Sequence, residues 1–346
     1  MPDVSIFVNV TFVETSSIEI GPIGETVAMA PHRVGIIGLG TVGTRFVEQF
    51  SQHPSFSVSA TWDASADARA RTAPHAPVVD SPEAVIDSSD LVYIAVPPAA
   101  HAEYVRATIA AGRAVFCEKP LGIDVAESRA LVDEVAASGL PAAVNFVFGS
   151  APAAVELVRL AGDGSLGDLR QVELDLHFAL WPRAWQAGAT WLAGRAEGGW
   201  IREVASHFVF LAGRAVGTAT PAGSFIHHAG PDLAEDLALA HLRLGPGGVP
   251  MAIAGSSGGA GPDVIDFRVR GRDAAVRVVD WYRLEITDDT GAWTPITVAD
   301  QPTPALAAYR AQVDALAALL DGRPHNLPTF AEALAVQEAI ERVLEG

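Results

Sequence analysis

The chain has 346 residues, of which 49% are hydrophobic and 18% charged, and this composition predicts a folded protein of about two domains. Acidic residues outnumber basic ones by 41 to 23, and the resulting net charge of −18 excludes nucleic acid and anionic membrane surfaces as main partners. The single cysteine, Cys117, excludes an internal disulfide and fits a reducing cytoplasm, and no apolar run reaches the roughly 18 residues that span a bilayer.

The first 30 residues differ from those that follow. They have no basic start and carry acidic residues within apolar stretches, so they do not match a secretory signal. The segment from Met29 onwards reads as a natural beginning. Residues 1–30 are therefore predicted to be a poorly ordered extension.

Strand and helix patterns alternate from Arg33 onwards. The apolar run RVGII is predicted as the first strand, and the helix after it has Phe46, Val47 and Phe50 at helical spacing. FSVSAT is predicted as the second strand, LVYIAV as a fourth and AVF as a fifth, and GLPAAVNFVF as the last. Fully apolar strands that alternate with helices predict a parallel sheet covered on both faces.

The first chemical motif lies between the first strand and the first helix. Its glycines, Gly38, Gly40 and Gly43, allow a tight turn and let a pyrophosphate rest on the amides of the helix N-terminus. Asp63 stands 20 residues past the last glycine, at the end of the second strand. Its carboxylate can accept hydrogen bonds from a ribose diol but repels a 2′-phosphate. The motif predicts a Rossmann domain over residues 31–149, doubly wound around its parallel sheet, with NAD favoured over NADP.

A second candidate cofactor segment follows the strand LVYIAV. Val96, Pro97 and His101 lie near its carboxyl end, the edge at which open parallel sheets bind ligands. His101 begins the next predicted helix. The sequence leaves open whether His101 caps that helix or contacts the cofactor.

Lys119 is the only lysine of the chain, and every other basic residue counted above is an arginine. An ammonium is a compact donor whose pKa shifts readily on burial, whereas a guanidinium is a wide planar fork that stays charged. A sequence that uses arginine elsewhere is expected to retain lysine where a small, tunable proton donor is needed.

The pattern changes after about residue 150. One helical segment leads into period-two stretches such as RQVELDLHF, DLALAHLRL and VIDFRVRG, and two helical patterns, residues 304–320 and 329–344, close the chain. The alternation predicts an open, mostly antiparallel sheet with helices on one face. Residues 150–346 are predicted to form an α+β domain for substrate binding and oligomerisation. The protein is expected to be a homodimer or homotetramer that assembles through this sheet.

A helix is predicted for the segment after Gly198 and Gly199. Glu203 and His207 are four residues apart on it, which places them one turn apart on one face. The tryptophans before and at the start of this helix offer flat apolar surfaces for a sugar or cyclitol ring, or they pack in a core or subunit contact. Trp185, Trp200 and Arg202 are the predicted substrate contacts.

These motifs together resemble the glucose-fructose oxidoreductase, inositol dehydrogenase and rhizopine catabolism family (Gfo/Idh/MocA) over about residues 32–346. The resemblance rests on the glycine motif, on VPPAAH and on the triplet Glu118-Lys119-Pro120 after a strand. It implies that Lys119 contacts the reacting oxygen, that Glu118 approaches the cofactor and that Pro120 fixes their directions. The predicted cofactor contacts are Gly38, Leu39, Gly40, Thr41, Val42, Gly43, Asp63, Val96, Pro97, His101, Glu118 and Lys119.

The resemblance also implies catalytic roles for the later helix. The family usually carries aspartate where this chain has Glu203, and His207 takes the place of its general base. Glu203 is then expected to orient His207 or to hold a neighbouring hydroxyl. Family members often carry an arginine after the last strand of the nucleotide domain. Its absence here leaves two alternatives, a replacement by Arg183 or Arg202 or a less polar substrate.

The expected activity is NAD(P)-dependent oxidation or reduction of a secondary alcohol or ketone of a sugar, a cyclitol or a related small molecule. His207 takes the hydroxyl proton and Lys119 stabilises the alkoxide. Two alternatives stay open, an NAD-dependent glycosidase of the same fold and a non-catalytic cofactor-binding sensor. Neither paired cysteines nor an HExxH motif is present, so no metal is predicted.

Overall fold

The computed structural model describes residues 30–298 and 303–346. The extension predicted at residues 1–30 lies, apart from its last residue, outside the described residues. No helix within the described ranges combines the length and the hydrophobicity needed to cross a bilayer.

The first half of the described chain forms a five-stranded parallel sheet flanked by helices. Its strands are β1 (His32–Ile37), β2 (Phe56–Trp62), β3 (Leu91–Ile94), β4 (Ala114–Glu118) and β5 (Ala142–Asn145), in the order β2-β1-β3-β4-β5. Its helices are α1 (Thr41–Ser51), α2 (Ala66–Thr72), α3 (Pro82–Asp87), α4 (His101–Ala110) and α5 (Val125–Ser138). The predicted Rossmann sheet is confirmed.

The strand count of this sheet differs from the prediction in one respect. LVYIAV was predicted as a fourth strand, but it contributes β3, the third. Between β2 and β3 the described chain adds only an isolated bridge between Thr61 and Val78. A single bridged residue is too short to make a sheet strand.

The second half forms an eight-stranded sheet. Its strands are β6 (Leu169–Phe178), β7 (Ala219–His228), β8 (Glu235–Leu244), β9 (Val249–Ser257), β10 (Val264–Gly271), β11 (Ala275–Val279), β12 (Arg283–Thr287) and β13 (Trp293–Ile296). The order is β13-β12-β11-β10-β6-β9-β8-β7, and β6 and β9 pair in parallel whereas the other neighbours are antiparallel. The predicted open, mostly antiparallel sheet is confirmed.

The helices of the second half pack on the inner face of this sheet or return to the first half. They are α6 (Pro152–Gly162), α7 (Ser206–Ala215), α8 (Pro304–Leu320) and α9 (Phe330–Glu345), and a π-helix (Ile201–Ala205) runs directly into α7. The bounds predicted for α8 agree with the structure. Thr329 is the N-cap of α9, where its side chain and that of Glu332 form a capping box.

Helix α8 joins the core of the nucleotide-binding half although it lies near the end of the sequence. Its Val313 and Leu316 belong to the same buried cluster as Val34, Phe46 and Tyr93. The boundary between the two predicted domains, at residues 149 and 150, therefore stays a prediction. Helix α8 follows that boundary in the sequence but packs on the first half.

Candidate active site

The glycine turn between β1 and α1 has the shape that a dinucleotide requires. Gly38 has a φ of +101°, and a Cβ added there would lie 2.3 Å from the carbonyl oxygen of Ala95. A Cβ at Gly43 would lie 1.9 Å from the oxygen of Gly38, whereas one at Gly40 would meet no atom within 4 Å. No side chain caps α1. The turn thus keeps open space over the helix amides, which fits a pyrophosphate.

Asp63 is fixed beside this turn. Its carboxylate accepts hydrogen bonds from the amide of Leu39 at 2.6 Å and from that of Ser65 at 2.7 Å. Arg69 donates to the carbonyl oxygens of Asp63 and Ala64. The acidic group therefore lies where a Rossmann domain binds the ribose, and the nearby guanidinium is engaged by the backbone.

The other predicted cofactor contacts differ in exposure. Gly40, Thr41 and Pro97 are exposed, and Val42 and Val96 are partly buried. These residues follow the carboxyl ends of β1 and β3, as the sequence predicts.

His101 has neither of the two roles predicted for it. It is fully buried, so no ring surface is left for a cofactor, and α4 has no side-chain cap. Its ring nitrogens lie 2.8 Å from the oxygen of Val96 and 2.7 Å from that of Pro120. Burial lowers the pKa of His101. The predicted cofactor contact is corrected to a positioning role, in which the ring lies between the segments that follow β3 and β4.

Glu118 belongs to a buried hydrogen-bond network. Its Oε1 accepts hydrogen bonds from the hydroxyl of Tyr93 and from Asn145 Nδ2, the latter at 2.6 Å. Gln312 of α8 in turn donates to Asn145 Oδ1. Burial raises the pKa of Glu118 to about 7, against the opposing effects of Tyr93, Lys119 and Asn145. Glu118 is therefore held by Tyr93 and Asn145 and is only partly ionised near neutral pH.

Lys119 connects the two halves of the molecule. It is 8% exposed, and its Nζ donates to the carboxylate of Glu203 and, at 2.8 Å, to the carbonyl oxygen of the same residue. An ammonium has three donors, so one remains for another acceptor. Lys119 therefore contacts Glu203, in the segment that leads to His207.

The segment that carries Glu203 is a π-helix rather than the regular α-helix predicted. Residues Ile201–Ala205 form this wider turn before α7 starts at Ser206. At the start of the π-helix, the buried carboxylate of Glu235 accepts a hydrogen bond of 2.6 Å from the amide of Ile201. Wider turns of this kind frequently occur at functional sites. Here the turn presents both the carbonyl and the carboxylate of Glu203 to Lys119.

His207 lies in an aromatic pocket next to these charges. Its ring centre is 5.5 Å from that of Phe146, 6.1 Å from that of Phe148 and 5.4 Å from that of Trp281. Its Nδ1 is buried with no hydrogen-bond partner among the described residues. Burial, followed by the charges of Lys119 and Arg183, holds the pKa of His207 well below 6.5. The ring is therefore neutral at pH 7 and able to accept a proton.

Glu203 does not orient His207 as predicted. One carboxylate oxygen is bound by Lys119, and the other accepts a hydrogen bond from Gln186 Nε2 at 3.2 Å. The ammonium of Lys119 attracts the carboxylate more strongly than the neutral imidazole of His207 does. Glu203 balances the charge of Lys119 and holds its amine in place.

Two of the three predicted substrate contacts are structural. Trp200 is fully buried, and its ring packs so closely on Gly255 that a Cβ there would lie 2.3 Å away. Arg202 is bound by Glu341 through two hydrogen bonds of 2.7 Å. Both predictions are corrected, because neither side chain is free for a ligand. Trp185 is 50% exposed and remains a candidate contact.

Several residues of the site were missed in the sequence. Tyr93 and Asn145 are hydrogen-bonding residues within otherwise apolar strands, and Gln312 is fully buried in an apolar helix, which is the signal that could have found them. Trp281 carries a φ of +72°. Residues other than glycine rarely adopt such a backbone conformation, and those that do lie in tight turns or cluster at functional sites. Among the described residues no cluster of three or more acidic, histidine or cysteine side chains could hold a metal ion.

Comparisons with known proteins agree with this geometry. A family model described as an oxidoreductase family with an NAD-binding Rossmann fold matches residues 32–146. An inositol 2-dehydrogenase of Cereibacter sphaeroides is 38% identical over 112 residues, which are 31% of this chain and 34% of that enzyme. The chain therefore matches about a third of that relative's length.

Solved structures resemble almost the whole chain. GenD2 from gentamicin A biosynthesis, in complex with NAD, has a TM-score of 0.74 and 22% identity, and the match covers 94% of this chain and 97% of that one. KijD10, a 3-ketoreductase from Actinomadura kijaniata in complex with NADP and TDP-benzene, has a TM-score of 0.76 and 20% identity, with 92% and 98% covered. At these identities the likeness establishes the fold.

Proposed function

Because residues 32–146 match the model of an oxidoreductase family with an NAD-binding Rossmann fold, we propose that the protein is a Gfo/Idh/MocA-type, NAD(P)-dependent oxidoreductase. Its substrate is a secondary alcohol or ketone of a sugar, a cyclitol or a related small molecule. The observation that carries the proposal is the contact between Lys119, on the nucleotide-binding half, and Glu203, one helical turn from His207. The name of the inositol 2-dehydrogenase relative supports the substrate class.

The residues of the site divide the work of the reaction. A bound nicotinamide supplies or accepts the hydride. The remaining donor of Lys119 holds the substrate oxygen and stabilises its negative charge, while Glu203 keeps the amine in place. Neutral His207 accepts the hydroxyl proton during oxidation and returns it during reduction. The surrounding phenylalanines keep water away from the imidazole.

NAD is the preferred cofactor in this proposal. The carboxylate of Asp63 is anchored next to the glycine turn by the amides of Leu39 and Ser65, so it would repel a 2′-phosphate. Arg69 donates to backbone carbonyls, and a phosphate would have to compete with them. The ratio of kcat/KM with NAD to that with NADP measures this preference.

The protein is proposed to work as a homodimer or homotetramer in the cytoplasm. Large apolar side chains on the outer face of the second sheet, Phe225, Leu237 and Leu239, are exposed and support self-association. Cys117 is an unpaired thiol, which fits a reducing compartment.

The function is tested by following NADH absorbance across a panel of polyols, sugars and their ketones. Lys119→Ala and Lys119→Arg are expected to lower kcat by about 10² to 10³, because each removes a preorganised point donor. Arg33→Lys, an exchange at an exposed ion pair with Asp90, is the matched control and should keep full activity. Undiminished turnover by Lys119→Arg would contradict the proposal.

Two further measurements, hydrolysis of an aryl glycoside and binding of the cofactor, separate the two alternatives. Release of sugar from an aryl glycoside without net NADH would indicate the glycosidase. Cofactor binding without turnover of any substrate would indicate the sensor.

A further inference from the structure

Arg183 is a cation in the candidate site for which the proposed mechanism has no use. It lies in the segment that follows β6, and its guanidinium carbon lies over four aromatic rings. The distances to the ring centres are 5.5 Å for Phe178, 5.6 Å for Trp181, 4.8 Å for Trp185 and 5.9 Å for Trp281. Its Nε donates to Gln186 Oε1 at 2.9 Å.

No carboxylate in residues 30–298 or 303–346 lies within 4.0 Å of this guanidinium. Arg202, on the same side of the site, shows the contrast, since Glu341 binds it at 2.7 Å. Burial lowers the pKa of Arg183, and Glu203 and Asp263 act in the opposite direction. A guanidinium stays charged in a protein, so Arg183 is a partly desolvated cation without an ion-pair partner in the described chain.

Contacts connect Arg183 to the reacting groups. Gln186, to which it donates, itself donates to Glu203, and Glu203 binds Lys119. The positive charge of Arg183 also contributes to the lowered pKa of His207. Arg183 therefore lies close to the place where a substrate oxygen would meet Lys119.

Two cations and two carboxylates lie around the site. Glu203 is bound by Lys119, whereas Asp263 acts on Arg183 from beyond ion-pair distance. His207 is neutral, and Glu118 is held in its own network with a pKa of about 7. Four aromatic rings lie within 6 Å of the guanidinium carbon, and its terminal N–H groups make no hydrogen bond to the described residues. The fork of a guanidinium matches the two oxygens of a carboxylate or a phosphate.

We propose that the substrate carries an anionic group, a carboxylate or a phosphate, which Arg183 binds while Lys119 holds the reacting oxygen. This inference rests on the proposed function and narrows its substrate class from neutral polyols to acidic or phosphorylated ones. The anion pairs with the guanidinium and orients the sugar ring over the exposed indole of Trp185.

The first test compares substrates that differ only in charge. Glucose, glucuronate and glucose 6-phosphate form one matched set, and galactose, galacturonate and galactose 6-phosphate a second. The charged members are expected to have a kcat/KM roughly 10- to 100-fold above that of the neutral one, the range of a hydrogen-bonded charge pair. Carboxylate and phosphate are distinguished by which charged member is preferred. Equal kcat/KM within both sets would overturn the inference and leave the proposed function standing.

Variants of Arg183 supply the second test. Arg183→Met should lower the ratio of kcat/KM for the preferred charged sugar to that for the neutral sugar by roughly 10- to 100-fold, because a change at His207 affects both sugars alike. Arg183→Lys keeps the charge but loses the fork, so a carboxylate should suffer more than a phosphate. Arg195→Met removes an exposed arginine of the same segment and should have no effect.

A binding measurement decides the question independently of turnover. Trp181 and Trp185 lie against the guanidinium, so anion binding should change the tryptophan fluorescence of NAD-loaded protein titrated with glucuronate or glucose 6-phosphate. The change should saturate in the wild type and vanish in Arg183→Met. Absence of saturable binding of both anions, or binding that persists in Arg183→Met, would overturn the inference. Failure of every sugar as a substrate would instead count against the proposed function.

Discussion

Glu118 and Lys119 are neighbours in the chain but have opposite surroundings. Glu118 points into the network of Tyr93 and Asn145, whereas Lys119 reaches across to Glu203. Of these two consecutive residues at the end of β4, Glu118 therefore stabilises the local structure and Lys119 faces the reacting groups. The carboxylate fixes the end of β4, and the amine keeps one N–H donor for the substrate.

The lowered pKa of His207 predicts how activity depends on pH. Oxidation requires the neutral ring, so kcat/KM for the alcohol should fall as the pH drops through the pKa of His207, with a midpoint below 6.5. Lys119 and Arg183 both lower this pKa, and Arg183→Met should therefore move the midpoint upwards. The measurement is a pH profile of kcat/KM from pH 8 down to the lowest pH at which the protein stays folded.

His207→Asn is the comparison for this profile. It should lower activity by about 10² to 10⁴, and its residual activity should lose the acidic limb that belongs to His207. His53→Asn changes a histidine bound to Asp314 far from the site and should leave the profile unchanged. An acidic limb that persists in His207→Asn would assign it to another group, with Glu118 as the first candidate.

At the scale of elements, the π-helix decides which groups reach Lys119. Glu203 and His207 lie on either side of the change from the π-helix to α7. The turn is tied at its start, where Glu235 accepts the amide of Ile201, and Gly199 beside it has a φ of +100°. The wider turn explains why Glu203 faces the amine rather than the imidazole.

The glycine turn predicts two separable effects. Gly38→Ala would force a side chain into a left-handed conformation and against the backbone of Ala95, so it should destabilise the fold by about 1 to 3 kcal/mol. Gly40→Ala meets open space and should leave the melting temperature unchanged. If the pyrophosphate occupies that space, Gly40→Ala should raise the Kd for NAD by about tenfold, or about 1.4 kcal/mol.

Thermal unfolding and calorimetric titration with NAD measure these two effects. Unchanged NAD affinity in a well-folded Gly40→Ala would place the cofactor elsewhere. Equal melting temperatures of the two variants would contradict the role given to Gly38.

At the scale of the whole molecule, the outer face of the second sheet is the feature that predicts assembly. Phe225 of β7 pairs directly with Leu239 of β8, and both side chains are about half exposed. Adjacent apolar side chains on a sheet face are more often covered in an assembly than left in water. The proposed homo-oligomer would cover them.

Leu239→Glu should therefore reduce the oligomer to a smaller species by placing a charge in the covered face. Ala137→Glu, at an exposed position of α5 away from this sheet, is the control and should keep the wild-type mass. Light scattering after size-exclusion chromatography measures the mass of each. A wild type that runs as a monomer, or a Leu239→Glu variant with the wild-type mass, would contradict assembly through this face.

Much of the fold could be predicted from local patterns. Period-two alternation marks β6, β8 and β10, and the bounds of α8 follow from helical spacing, because the face that each residue buries depends on its immediate neighbours in the chain. The glycine turn was predictable for the same reason, since the conformation of Gly38 is a local requirement. That Lys119 is the only lysine of the chain could also be recognised without the structure.

The surroundings of the site residues required the tertiary structure. Trp200 and Arg202 have the residue types of a binding site, but packing on Gly255 and pairing with Glu341 engage them, and both partners are distant in sequence. Gln312 reaches Asn145 from a helix 167 positions later. Charge and burial act through space, so the partner of Glu203 and the unpaired state of Arg183 are decided only when the chain has folded.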